Sequence, residues 1–145
     1  TQLFPAVYAG PGKTLRDVIY ALGLLVCAYF GTKPWIFAVS ILLLALADGG
    51  AAVVGRLYGK RSTYLVFGNK HLRKSLLGTA AFLILAYVSV LIGWIGGGSE
   101  VLREHIFVAL VVLPLGAALL ENVVPFGFDN LITPLYASLL LNSLI

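Results

Sequence analysis

Leu76-Leu77-Gly78-Thr79-Ala80-Ala81-Phe82-Leu83-Ile84-Leu85-Ala86-Tyr87-Val88-Ser89-Val90-Leu91-Ile92-Gly93-Trp94-Ile95 decides what kind of protein this is. The run carries no charge, and about 20 apolar residues in helical form cross a hydrocarbon core about 30 Å thick. Four further apolar segments flank it: Leu15 to Phe30, Trp35 to about Val54, Ile106 to Val124, and Leu131 to Ile145. The first and last are short for a span, so tilt or local thinning must accommodate them. Composition agrees. Of 145 residues, 60% are hydrophobic and 11% charged, with a mean hydropathy of +0.99; an average soluble domain is about 25% charged. A water-facing surface cannot be built from that inventory. The segments lack the alternation of a barrel strand, so helices are the expected spanning form. The sequence predicts an all-α, polytopic transmembrane helix bundle of about five helices, one integral-membrane domain over residues 1–145. Its opening, Thr1-Gln2-Leu3-Phe4-Pro5, reads as a start in mid-protein or a processed end, and further membrane segments are expected upstream.

Charge sets the expected orientation. Between the second and third segments lie Arg56, Lys60, Arg61, Lys70, Arg73 and Lys74, with no acid among them. Such a loop belongs in the cytoplasm. Alternation then puts Lys13 and Arg16 on the same side. The Gly31-Thr32-Lys33-Pro34 turn and the Gly96-Gly97-Gly98-Ser99-Glu100 loop fall outside, where Lys33 and Arg103 are isolated exceptions. The Pro125-Phe126-Gly127-Phe128 turn returns to the cytoplasmic side. Asp48, Glu121 and Asp129, distant in sequence, all land near that face. A carboxylate within a membrane segment costs about 2.5–3.5 kcal/mol. Three together would also repel, so a divalent cation or the basic loop is the natural counter-charge.

Each motif carries two readings. Taken as a continuing helix, Ala47, Ala51, Gly55 and Gly59 form a small-residue stripe that lets another helix approach. Asp48, Ala52, Arg56 and Lys60 form the neighbouring strip. That strip either presents an acid and two bases to a ligand, or Asp48 pairs with Arg56 while the bases reach for headgroups. Lys74-Ser75-Leu76-Leu77-Gly78-Thr79 opens the third helix, whose free amides favour an anion. Ser75 there either touches a phosphate oxygen or simply caps the helix. Asp129-Asn130-Leu131-Ile132-Thr133-Pro134 suits an interhelical turn. Glu121 is harder to explain that way, because a turn needs no carboxylate one helical turn back inside an apolar run.

Other residues exclude functions. Cys27 stands alone, so neither a disulfide framework nor a cysteine metal site is available. His71 and His105 lack paired ligand spacing. Trp35 and Trp94 fit interfacial anchors, and Pro114 is expected to kink the fourth helix. Nothing suggests nucleic-acid recognition, since the basic loop lacks a soluble scaffold to present it.

The ordered motifs resemble a family. Asp48-Gly49-Gly50-Ala51-Ala52-Val53-Val54-Gly55-Arg56-Leu57-Tyr58-Gly59-Lys60 is similar to the D-x-x-A-x-x-x-G-R-x-x-G signature of CTP-dependent lipid-alcohol kinases: phytol kinase, polyprenol or dolichol kinase, and CTP-dependent diacylglycerol kinase. Lys74-Ser75-Leu76-Leu77-Gly78-Thr79 resembles their K-S-x-x-G-[ST] element. Glu121 with Asp129-Asn130-Leu131-Ile132-Thr133-Pro134-Leu135 resembles their C-terminal one. Leu77 stands where many members carry an acid, and the family usually has more helices before the region of Leu15. The signature of the distantly related phosphatidate cytidylyltransferases, a K-D followed by G-G-x-x-D-R-x-D, is absent.

The resemblance implies transfer of the γ-phosphoryl group of a nucleoside triphosphate, CTP by analogy, to an isoprenoid alcohol such as phytol, geranylgeraniol or a polyprenol. Diacylglycerol is the alternative acceptor. It implies Asp48, Glu121 and Asp129 as catalytic, with Asp48 and Asp129 toward Mg²⁺ and Glu121 toward the alcohol. Gly55, Arg56, Gly59, Lys60, Lys70, Lys74, Ser75, Gly78 and Asn130 are implied to bind the nucleotide. The expected site lies at the cytoplasmic face of a multi-pass protein in the lipid bilayer. A rival reading from another class is a transporter or helix-packing subunit whose carboxylates line a cation path.

Overall fold

The computed structural model describes residues 11–66, 73–125 and 127–145, with the backbone alone over residues 11–14. Five helices succeed one another: α1 Pro11–Phe30, α2 Pro34–Arg61, α3 Leu76–Glu104 and α4 Val108–Val123, and α5 Asp129–Asn142. Two of them, α2 with 28 residues and α3 with 29, are long and apolar enough to cross a membrane. At 1.5 Å per residue α2 reaches about 42 Å, and α3 about 30 Å before its break at Gly97. The expected all-α bundle forms.

One element was not expected. The basic connector between α2 and α3 contains an antiparallel pair, β1 Thr63–Leu65 and β2 Arg73–Ser75, with Thr63 opposite Ser75 and Leu65 opposite Arg73. Three-residue strands are too short to leave an alternating pattern, so the sequence read as loop.

Packing follows a spacing of four along every core helix. On α2, Trp35, Val39, Leu43, Ala47 and Ala51 are buried; on α3, Phe82, Ala86 and Val90; on α4, Ala109, Leu113 and Ala117; on α5, Ala137 and Leu141. In a bilayer, where lipid tails are as apolar as leucine, close approach rather than water exclusion would hold such helices together. Alanine and glycine supply it. A Cβ on Gly55 or Gly78 would press on Ser75 Oγ, at 3.0 and 2.8 Å, so the small-residue stripe of α2 seats against the start of α3. Large apolar side chains, among them Leu25, Ile84, Leu91, Phe107 and Leu119, cover the outer faces.

The two helix-interior prolines are accommodated differently. Pro114 has no N–H for the Leu110 carbonyl, and the Tyr87 hydroxyl donates to that carbonyl at 2.9 Å. A π-helical turn, Val108–Val112, comes just before it, and the Tyr136 hydroxyl donates to the Val112 carbonyl at 2.6 Å. In α5, Pro134 similarly leaves the Asn130 carbonyl without a helical donor, and Gly23 of α1 packs directly onto that carbonyl.

Two expectations are corrected. The glycines at 96–98 do not open a free loop. Helical winding runs through them as a π-turn, Trp94–Gly98, broken by a left-handed Gly97 (φ 114°), and continues to Glu104. Trp35 is no interfacial anchor. It is 5% exposed, its ring seated against Gly98, because a glycine there leaves room for an indole inside the bundle.

Candidate functional site

Extending the core stripes by one turn toward the hairpin end changes their chemistry. On α4 the series Ala109, Leu113, Ala117 continues to Glu121; on α5 the series Leu141, Ala137 runs back to Thr133 and Asp129. On α3, Phe82 leads back to Gly78 and then to Lys74 on β2. Asp48 joins them from the interior of α2, as the last residue of a π-helical turn, Leu43–Asp48. Such turns re-aim side chains by the extra residue they insert. Asp48 lies thirteen residues before the end of α2 at Arg61, about 20 Å along the axis.

The result is a compact charged cluster. One carboxylate oxygen from each of Asp48, Glu121 and Asp129 lies within 4.8 Å of the others, close enough to share a metal ion. Lys74 Nζ donates to Glu121 Oε1 at 2.6 Å and stands 3.9 Å from Asp129 Oδ2. With every group ionised, three carboxylates and one ammonium leave two negative charges in excess. A divalent cation carries that charge, and carboxylates are the ligands Mg²⁺ prefers. The donor set therefore fits a hard divalent ion.

Above the cluster opens a cleft of about 600 Å³, walled by Arg16, Arg56, Arg73 and Lys74 on its cationic side and floored by Asp48 and Glu121. Small-molecule sites occupy roughly 300–1,000 Å³. Its neutral wall is Ala51, Ala52, Gly55, Thr63, Ser75, Gly78 and Thr79. The hairpin is fixed over the helix ends by Tyr64, whose hydroxyl lies 2.7 Å from Thr79 Oγ1 and also bonds Asn122 Oδ1. Arg73 donates to Thr63 Oγ1 across the strands at 2.8 Å.

The structure brings most of the expected residues together, though not all in the same way. Asp48, Arg56, Lys74 and Glu121 line the cleft, and Asp129 and Asn130 lie beneath it. Arg56 Nε donates to its own helix at Ala52, 3.1 Å away, rather than to Asp48. Ser75 Oγ accepts from Gly78 N at 3.0 Å, the capping bond that starts α3. Gly55, Gly59 and Gly78 all face Ser75, and Gly55 and Gly78 also face each other, so their missing Cβ atoms serve helix contact. Lys60 is exposed and does not line the cleft; the 3-10 winding of Gly59–Arg61 breaks the spacing of four that aligned it with Asp48. Lys70 and His71 lie outside the described residues.

Several cleft residues escaped sequence reasoning. Arg16 comes from α1, beside the left-handed Gly127 (φ 86°), where a Cβ would meet its Cγ at 3.2 Å. Its signal in the sequence was a basic residue at the very start of the first apolar segment, on the side where the basic loop is expected. Arg73 and Thr79 stood in stretches already singled out but were given no role of their own, and Asn122, which bonds Tyr64 beside the cleft, was passed over as the neighbour of Glu121. Thr133 was overlooked although it shares a helical face with Asp129.

Against known proteins, the chain is similar to a phytol kinase from Synechocystis sp., 36% identical over 143 residues. That alignment covers 95% of this chain and 58% of the relative, so the chain spans less than two thirds of the relative's length. No protein-family model matches the chain, and no solved structure matches it.

Proposed function

We propose that this protein is a membrane kinase that moves the γ-phosphoryl group of a nucleoside triphosphate, CTP, to an isoprenoid alcohol of the phytol type. The observation that carries the reading is the three-carboxylate cluster under an arginine-walled cleft at one end of an apolar bundle. Similarity to a phytol kinase over nearly the whole chain supports the reaction and the acceptor class. A triphosphate needs cations along its length, and a lipid alcohol needs a site reachable from the bilayer. Both needs point to the boundary where α2 leaves the apolar region, which we place at the cytoplasmic face.

In this mechanism Arg16, Arg56 and Arg73 hold the phosphates, and Lys74 reaches them with the donors not used on Glu121. Asp48 and Asp129 would hold Mg²⁺, which when bound neutralises charge on the β- and γ-phosphates. Glu121, held by Lys74, orients the acceptor hydroxyl. The alcohol oxygen bonds to the γ-phosphorus as the bond from phosphorus to the bridging oxygen breaks. The hydroxyl proton passes to a carboxylate oxygen, and the nucleoside diphosphate leaves. Positioning and charge stabilisation supply the rate, as in phosphoryl transfer generally.

The test is phosphate transfer to phytol in membranes carrying the whole protein, with CTP, ATP and UTP compared and diacylglycerol as competitor. Labelled phytyl phosphate is expected, most strongly from CTP. Preference for diacylglycerol would move the assignment to the other acceptor class. No transfer from any nucleotide, together with no thermal stabilisation by CTP and Mg²⁺, would sink the kinase reading in favour of a carrier.

A further inference from the structure

Thr133 is 4% exposed, and its hydroxyl has no hydrogen-bond partner among the described residues. In a helix a threonine hydroxyl ordinarily donates to a carbonyl three or four residues back. Here other buried side chains do so: Ser89 donates to the Leu85 carbonyl at 2.8 Å and Ser138 to the Pro134 carbonyl at 2.7 Å. Thr133 has forgone that bond. Its place explains where it turns instead. One helical turn after Asp129, it lines a small pocket with Asp48, Glu121, Asp129 and Asn130, on the bilayer side of the acid cluster. The side-chain oxygen of Asn130 in the same pocket is also buried and unpartnered.

Leaving a buried hydroxyl unsatisfied is costly, and more so in an apolar surround. Every other side-chain oxygen facing this pocket is an acceptor. With its lone pairs turned toward carboxylates, the hydroxyl oxygen suits a hard cation shared with them. We infer that Thr133 is a ligand of the divalent cation site, its Oγ1 completing from the bilayer side the set begun by Asp48 and Asp129. The cleft side is left for phosphate oxygens. This inference rests on the metal-assisted reading above and adds a third helical side chain to it.

The experiment is Mn²⁺ binding to the purified protein in detergent, read by electron paramagnetic resonance without nucleotide or lipid. Thr133→Val keeps the shape and removes the hydroxyl. Its Mn²⁺ affinity should fall about tenfold, the lower end of what supporting groups of metal sites contribute, while Thr133→Ser should bind as the wild type does. Thr133→Cys places a soft sulfur at the same point and should raise the Cd²⁺ to Mn²⁺ affinity ratio about tenfold over the wild type, whose own Cys27 serves as background. A merely structural threonine would not move that ratio. Unchanged Mn²⁺ affinity in Thr133→Val, or an unchanged ratio in Thr133→Cys, overturns the ligand role. Phosphate transfer by the wild type would still decide the kinase reading independently. Absence of Mn²⁺ binding by the wild type overturns the inference as well.

Discussion

The two ends of the bundle solve the same problem in opposite ways. Where α1 finishes, Asn142 Nδ2 donates to the Phe30 carbonyl at 2.6 Å and to the Ser138 carbonyl at 2.8 Å, while Thr32 bonds its side-chain oxygen. Nearby, the Trp35 ring fills the space over Gly98. Polar groups there satisfy one another, and the end is closed. At the hairpin end, acids from three helices crowd around one lysine, and two buried oxygens have no partner among the described residues. One end is finished by its own atoms; the other is arranged to be finished by something else. Unequal polar satisfaction is what sets the proposed binding end apart from the closed one.

The largest effect that could break this contrast concerns Asp48. Asp48→Asn should lower kcat for phosphate transfer by about 10²–10³-fold, the scale of losing one preorganised charge-stabilising group. The same change removes a repelling carboxylate, so the unliganded protein should unfold at a higher temperature. Full activity, or a lowered unfolding temperature, would mean that Asp48 belongs to the scaffold. Next comes Lys74→Ala, expected to raise the apparent Michaelis constant for nucleotide about tenfold, as fits one charge-assisted hydrogen bond. An unchanged constant would reduce Lys74 to a topological charge.

At the closed end the signs reverse. Gly98→Val would drive atoms into the Trp35 ring and should cost about 2 kcal/mol of stability by overpacking, with kcat and the Michaelis constants unmoved. A loss of activity at constant stability would show that the two ends are not separable. The smallest change is Ser40→Ala. It removes a buried hydroxyl pair with Ser138 at 2.9 Å, worth about 0.6 kcal/mol within a membrane. Thermal unfolding in detergent would read it as a slight shift; a shift as large as that of Gly98→Val would mark the helix centre, rather than the ends, as the stability-determining layer.

How much of this could be read in advance varies by residue. Glu121 was legible, because a carboxylate inside an apolar run has no cheap structural purpose. Asp129 and Lys74 followed from topology. Thr133 was legible in principle, since Asp129, Thr133, Ala137 and Leu141 share one stripe, but threonine is common in helices and draws no notice. The depth of Asp48 was not legible, since an apolar run does not reveal how far its helix continues beyond it. Lys60 was misleading: its spacing put it beside Asp48, yet the chain tightens at Gly59–Arg61 and leaves it outside the cleft. Nor could the sequence show that Arg16 crosses from α1 to form a wall, because that depends on Gly23 packing onto the Asn130 carbonyl.

The order of apolar runs and the placement of charge by themselves determined an α-helical chain suited to a bilayer, with its acids and bases gathered toward one side. Those properties are local sums over neighbouring residues, and hydropathy adds along a chain. Which oxygens converge on one point was decided by the tertiary structure alone. Distances between side chains on separate helices depend on packing depth, winding and the close approach that missing Cβ atoms permit, and none of these accumulates along the sequence.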